Sequence, residues 1–141
     1  MQRLHASAQA YTEGMKEWGK RIGFGIILWA VAYAASIPLL PLAQTDPSAF
    51  KSLVISVASV LSSIITVVYF LGIRANYLRE SFVVAAVWLV VNWVLDFVAL
   101  LPFTHQTLPQ YFLEIGLSYI GFMAPIIAIG YLLEKKQSLA D

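Results

Sequence analysis

Residues 52–73, SLVISVASVLSSIITVVYFLGI, decide the fold. They hold 22 positions without one charged side chain. At about 1.5 Å per residue, a helix of that length crosses the roughly 30 Å hydrocarbon core of a bilayer. Within it Ser52, Ser56, Ser59, Ser63 and Thr66 recur at a 4-3-4-3 spacing, which puts five hydroxyls on one helix face. A shift of 62 residues brings up Glu114, Ser118, Gly121, Pro125 and Ala128. The same period relates Pro47 to Pro109, Phe50 to Phe112 and Tyr69 to Tyr131, and a near one relates Leu39-Leu40-Pro41 to Leu100-Leu101-Pro102. Trp29 and Trp88 fit at 59 residues. The pattern predicts two tandem, parallel two-helix hairpin repeats related by an axis along the membrane normal.

Composition agrees with lipid as the solvent. Of 141 residues, 60% are hydrophobic and 12% charged, about half the charge of a soluble domain. Four stretches are long enough to cross: 22–42, 53–73, 81–101 and 111–133. The expected class is an all-α membrane protein with four transmembrane helices in one domain, residues 22–141, preceded by a helix over residues 1–21. Lys20 and Arg21 before the first stretch resemble a signal peptide, but about 20 residues precede it, longer than a usual basic leader, so it reads as a transmembrane helix. The absence of cysteine excludes disulfides and thiolate chemistry. A net charge of +1 implies no nucleic-acid partner. No hydrolase, zinc-protease, P-loop or dinucleotide motif is present, so neither an enzyme nor a cofactor is expected.

Eight of the nine basic residues fall on one side of the predicted spans: Arg3, Lys16, Lys20, Arg21, Arg74, Arg79, Lys135 and Lys136. Only Lys51 lies on the other. The positive-inside rule then places both termini in the cytoplasm, in an inner or plasma membrane. Leu4, Ala8, Tyr11, Met15, Trp18 and Ile22 share one helix side, opposite Glu13, Lys16, Glu17 and Lys20. That pattern suits an amphipathic helix on the membrane surface, or a short coiled-coil seam between protomers. Arg74, Arg79 and Glu80 read as topology determinants and headgroup contacts.

Asp96 is the main candidate for chemistry, because an ionised carboxylate in hydrocarbon costs about 2.5–3.5 kcal/mol and needs a reason. Asn92, one turn away, is placed to donate to it. The pair reads as an ion or proton site, or as a polar end that bonds a neighbouring helix. Glu114 near the start of the fourth span gains from the helix dipole, and with His105 and Asp96 it forms a possible vestibule. No metal spacing is recognisable. The hydroxyl face, with Ser118 opposite, reads as tight packing or as a narrow polar route. Pro125 inside the fourth span is a possible hinge. The expected function is a homo-oligomeric channel or transporter for an ion or small solute, surrounded by membrane lipid. The alternative is a non-transporting subunit that packs against a membrane-protein partner.

Overall fold

The computed structural model describes the backbone of residues 2–99, 101–104 and 107–139, and the side chains of residues 13–99, 101–102 and 107–139. The expectations on His105, and on the side chains of Leu4, Ala8 and Tyr11, lie outside the described residues.

Helix α1 runs from Gln2 to Ser36 without a break at residue 21. Pro38 and Pro41 remove backbone donors there, and the chain passes through a 3-10 turn, Ile37–Leu39, into α2, Leu40–Thr45. Helix α3, Pro47–Phe70, starts where Asp46-Pro47 predicts it: the Asp46 carboxylate accepts from the Ala49 backbone N–H at 3.0 Å. A turn leads to α4, Tyr77–Ala99, with Asn76 at φ 56°, a left-handed conformation that Asn tolerates better than most residues. The short α5 spans Leu101–Thr104 and α6 spans Leu108–Tyr111. Gln110 folds back onto the start of α6, its Oε1 accepting from the Thr107 N–H at 3.1 Å and hydroxyl at 3.0 Å. A π segment, Phe112–Gly116, connects α6 to α7, Ser118–Ser138, which continues through Pro125. No strand occurs among the described residues.

Four helical stretches are long and apolar enough to cross a membrane: Glu13–Thr45, Pro47–Phe70, Tyr77–Ala99 and Leu108–Ser138. Their outward surfaces are hydrophobic, with Val98 at 72% and Leu113 at 74% exposure. Water would penalise such a surface at about 25 cal/mol per Å², whereas acyl chains do not.

The helices form a ring. Helix α4 packs against α7 and α1, and α3 packs against α1 and α7. Glycine sets the closest approaches. A Cβ on Gly25 of α1 would lie 3.1 Å from the Trp88 ring of α4, and one on Gly130 of α7 would collide with the Ser81 side chain of α4. The small pair Ala30 and Ala34 in α1 is exposed instead. In this ring α1 neighbours α4 and α3 neighbours α7, while a two-fold axis along the membrane normal sets corresponding helices diagonally apart. The packing therefore does not follow the axis that the tandem sequence match predicts. Leu28, Tyr69, Phe70, Val84, Ala85, Trp88 and Ile126 fill one half of the ring interior.

Candidate functional site

Asp96 is fully buried and holds three helical segments together. Trp29 of α1 donates its indole N–H to Oδ1 at 2.7 Å. The hydroxyls of Tyr111 in α6 and Tyr119 in α7 donate to Oδ2 at 2.5 and 2.6 Å. Three charge-assisted donors offset much of the cost of a carboxylate at this depth. Asn92 is not one of them. Its Nδ2 donates to the Trp88 carbonyl at 2.7 Å, one turn back along α4. Between the two tyrosines the helix widens: the Leu117 N–H donates to the Phe112 carbonyl, five residues back, at 2.9 Å.

Beside this cluster the ring encloses a cavity of about 820 Å³. It extends along α3 from Pro47 to Ser62, about 22 Å of helix. Most of its wall is apolar, including Leu28, Ile55, Ala58, Phe122 and Ile126. At the Lys51 end stand Ser48 and a Lys51–Glu114 ion pair at 3.1 Å, both side chains 45% exposed. At the other end Ser62 is buried, and its hydroxyl finds no hydrogen-bond partner.

Beyond Ser62 the ring interior is shut. Tyr69 meets Phe24, Phe70 and Trp88 edge-on, at centroid distances of 5.2, 5.6 and 5.7 Å. Arg21 then grips Glu80 with two parallel bonds, Nε–Oε1 at 2.8 Å and Nη2–Oε2 at 2.7 Å, with both side chains 13% exposed. The Tyr69 hydroxyl also donates to Glu80. Trp88 donates its indole N–H to the Arg21 carbonyl at 3.0 Å, tying the same two helices. A bidentate, largely desolvated pair of this kind fixes helix register more firmly than a surface pair.

Of the residues expected to form a pathway, Asp96, Asn92, Glu114 and Ser118 line the cavity. Ser52, Ser56, Ser59, Ser63, Thr66 and Pro125 do not line it. The hydroxyls of Ser56, Ser59, Ser63 and Thr66 donate to carbonyls four residues back, at 2.7–2.9 Å. They are thus satisfied by their own helix. The cavity face of α3 is instead Lys51, Ile55, Ala58 and Ser62, also at helical spacing. Glu80 pairs with Arg21 rather than serving only as a topology signal. Trp29, Tyr111 and Tyr119 were not expected as partners of Asp96. The available signal was that a buried carboxylate needs donors, and that Trp and Tyr are the hydrophobic residues able to supply them. Among the described residues no three His, Cys, Asp or Glu side chains gather as a metal site.

The chain matches no family model, no curated protein and no solved structure. The cavity and its chemistry therefore carry the functional reading.

Proposed function

We propose that this protein is a small polytopic membrane transporter that takes up a small amphipathic solute. The observation that supports this reading is the cavity of about 820 Å³ beside the Asp96 cluster. Its size falls within the roughly 300–1,000 Å³ of small-molecule sites, and its lining combines a largely apolar wall with few polar groups. A bare-ion route has less support. The stripe hydroxyls are spent on backbone carbonyls, and Asp96 is covered by three donors, so few oxygens remain to replace a hydration shell.

The basic-residue asymmetry puts both termini and the Arg21–Glu80 end in the cytoplasm, and the Lys51–Glu114 mouth outside. The described conformation is then open outward and shut inward. Passage inward requires the Arg21–Glu80–Tyr69 contact to part and the aromatic floor to move, with Pro125 as a hinge in α7. The sequence period near 62 residues supports two hairpin units. The outer flank of α3, where Ser52 and Ser56 are exposed, suits contact with a second copy. The same flank favours a second reading, in which the chain is a non-transporting subunit that holds a membrane-protein partner there.

The test is uptake of a fluorescent short-chain alkyl glucoside, which crosses lipid slowly, into vesicles containing the purified protein. Saturable entry several-fold above empty vesicles is expected, with loss in Ala58→Trp, which fills the cavity. Entry no faster than in empty vesicles, or unchanged by Ala58→Trp, overturns transport. Absence of entry together with stoichiometric recovery of one membrane protein, lost when the α3 flank is changed, favours the subunit reading.

A further inference from the structure

We propose that the Lys51–Glu114 pair at the cavity mouth is the head site for a single-chain zwitterionic amphiphile of the alkyl phosphocholine class. This names a solute class for the transport reading and rests on that reading for its purpose, although head binding is measurable without transport. The two charges stand side by side. Lys51 Nζ lies 3.1 Å from Glu114 Oε2, and both side chains line the cavity. Each is 45% exposed, so neither is sealed from a solute.

As a structural clamp the pair is poor. A single half-exposed contact between two long side chains contributes little to stability, because water screens it and both chains must be ordered. The clamp of this ring is Arg21–Glu80, with two parallel bonds and 13% exposure. Lys51 is also the one basic residue of nine on its side of the spans, where topology gives no reason for a cation. The remaining charged group on the described wall, Asp96, is committed to Trp29, Tyr111 and Tyr119. The mouth pair therefore supplies the wall charges that can change partners.

The occupant's chemistry follows from the pair. Weakly held opposite charges exchange most readily with a solute that carries both signs. Its phosphate accepts from Lys51, with the Ser48 hydroxyl one turn back on the same helix face, and its ammonium faces Glu114. A solute bearing one charge would satisfy one partner and leave the other without its mate. Below the pair, Val54, Ile55, Ala58 and Phe122 offer an apolar wall for the chain. A cavity of about 820 Å³ is on the scale of a small-molecule site, which suits one chain.

The test uses the full chain in nanodiscs of an uncharged, double-chain galactolipid, which brings no head charge of its own. Alkyl phosphocholine, alkyl sulfate, alkyl trimethylammonium and alkyl glucoside, each with bromine at the chain end, are titrated against the emission of Trp29 and Trp88, which line the cavity. The saturable component is read above the linear background from lipid. The phosphocholine is expected to bind about fivefold more tightly than each of the other three. Lys51→Gln should erase its advantage over the ammonium, and Glu114→Gln its advantage over the sulfate, with glucoside binding unchanged in both. Loss of a merely structural contact does not produce that head-specific shift. Lys51→Arg, which keeps the charge, should keep the preference. Equal binding of the four heads, a preference that survives both Gln variants, or one lost in Lys51→Arg overturns the site. Equal, pair-dependent quenching by a brominated two-chain phosphatidylcholine overturns the single-chain occupant in favour of bilayer lipid. Head-selective binding without vesicle entry of phosphocholine or glucoside removes the transport reading and keeps the site. Glucoside entry without any head preference removes the site and keeps transport.

Discussion

Trp29 and Asp96 lie 67 residues apart in sequence, yet the indole N–H of one donates to the carboxylate of the other at 2.7 Å. This bond joins α1 to α4, and the two tyrosine hydroxyls on the same carboxylate add α6 and α7. Asp96→Ala leaves three buried donors without an acceptor. Individual bonds between membrane helices average about 0.6 kcal/mol, and bonds to charged groups reach about 1.5–3 kcal/mol, so a loss of roughly 2–5 kcal/mol is expected. Unfolding in mixed micelles measures it. Trp29→Phe should cost about 1 kcal/mol alone, and almost nothing once Asp96 is already Ala.

The closure at the Arg21–Glu80 end is testable because the chain lacks cysteine. Ala58→Cys introduces one thiol on the cavity wall, at a position that is not fully buried. A membrane-impermeant maleimide should label it from the Lys51 side and not from the Arg21 side. Adding Glu80→Gln removes the charge that Arg21 grips and should allow labelling from both sides. Labelling that stays one-sided would show that the aromatic floor alone seals the ring.

The Lys51–Glu114 pair is half exposed and screened. Lys51→Ala should therefore change stability by less than about 1 kcal/mol. If the cavity takes up solute as proposed, uptake by the wild type should depend on ionic strength, and that dependence should flatten in the variant.

Ser62→Ala should raise thermal stability, by about 1 kcal/mol, because it removes a buried hydroxyl that no group satisfies. The stripe behaves differently. Thr66→Val also deletes a buried hydroxyl, but one bonded to the Ser62 carbonyl at 2.7 Å, and should be neutral or slightly destabilising. Melting curves of the two variants side by side separate these outcomes.

Gly130→Leu places a side chain where Ser81 and the Tyr77 carbonyl already stand. Both neighbours are fixed within α4, so α7 must move away. A loss of about 2 kcal/mol or more is expected, with an earlier-eluting or aggregated micellar species.

Much of the architecture was legible because lipid imposes a simple rule: backbone polar groups must be satisfied within each crossing, so long apolar runs become helices. Asp46-Pro47 and Thr107-Leu108-Pro109 marked helix starts for the same local reason, a donor-free residue beside a side-chain acceptor. The site was only half legible. Asp96 stood out because a carboxylate is costly in hydrocarbon. Its partners did not, because Trp29, Tyr111 and Tyr119 meet it only through the ring order of the helices, and sequence spacing carries no information on which faces oppose. The hydroxyl stripe misled for a related reason. Periodicity identifies a face but not its direction, and Ser62, one position from Ser63, faces the cavity while its neighbours bond their own backbone.

The wide turn at Phe112–Gly116 has a mechanical meaning. At about 100° per residue, the eight steps from Tyr111 to Tyr119 sweep about 800°, leaving the two rings some 80° out of phase. One surplus residue in the π segment absorbs most of that, which brings both phenols round to a single oxygen of Asp96. Excising Leu113 would make the fourth crossing a more regular helix and yet a worse-fitting one. Glu114 and the rim it belongs to would be swung round relative to everything beneath them, so the angular indexing of entrance against floor is written into that single extra amino acid.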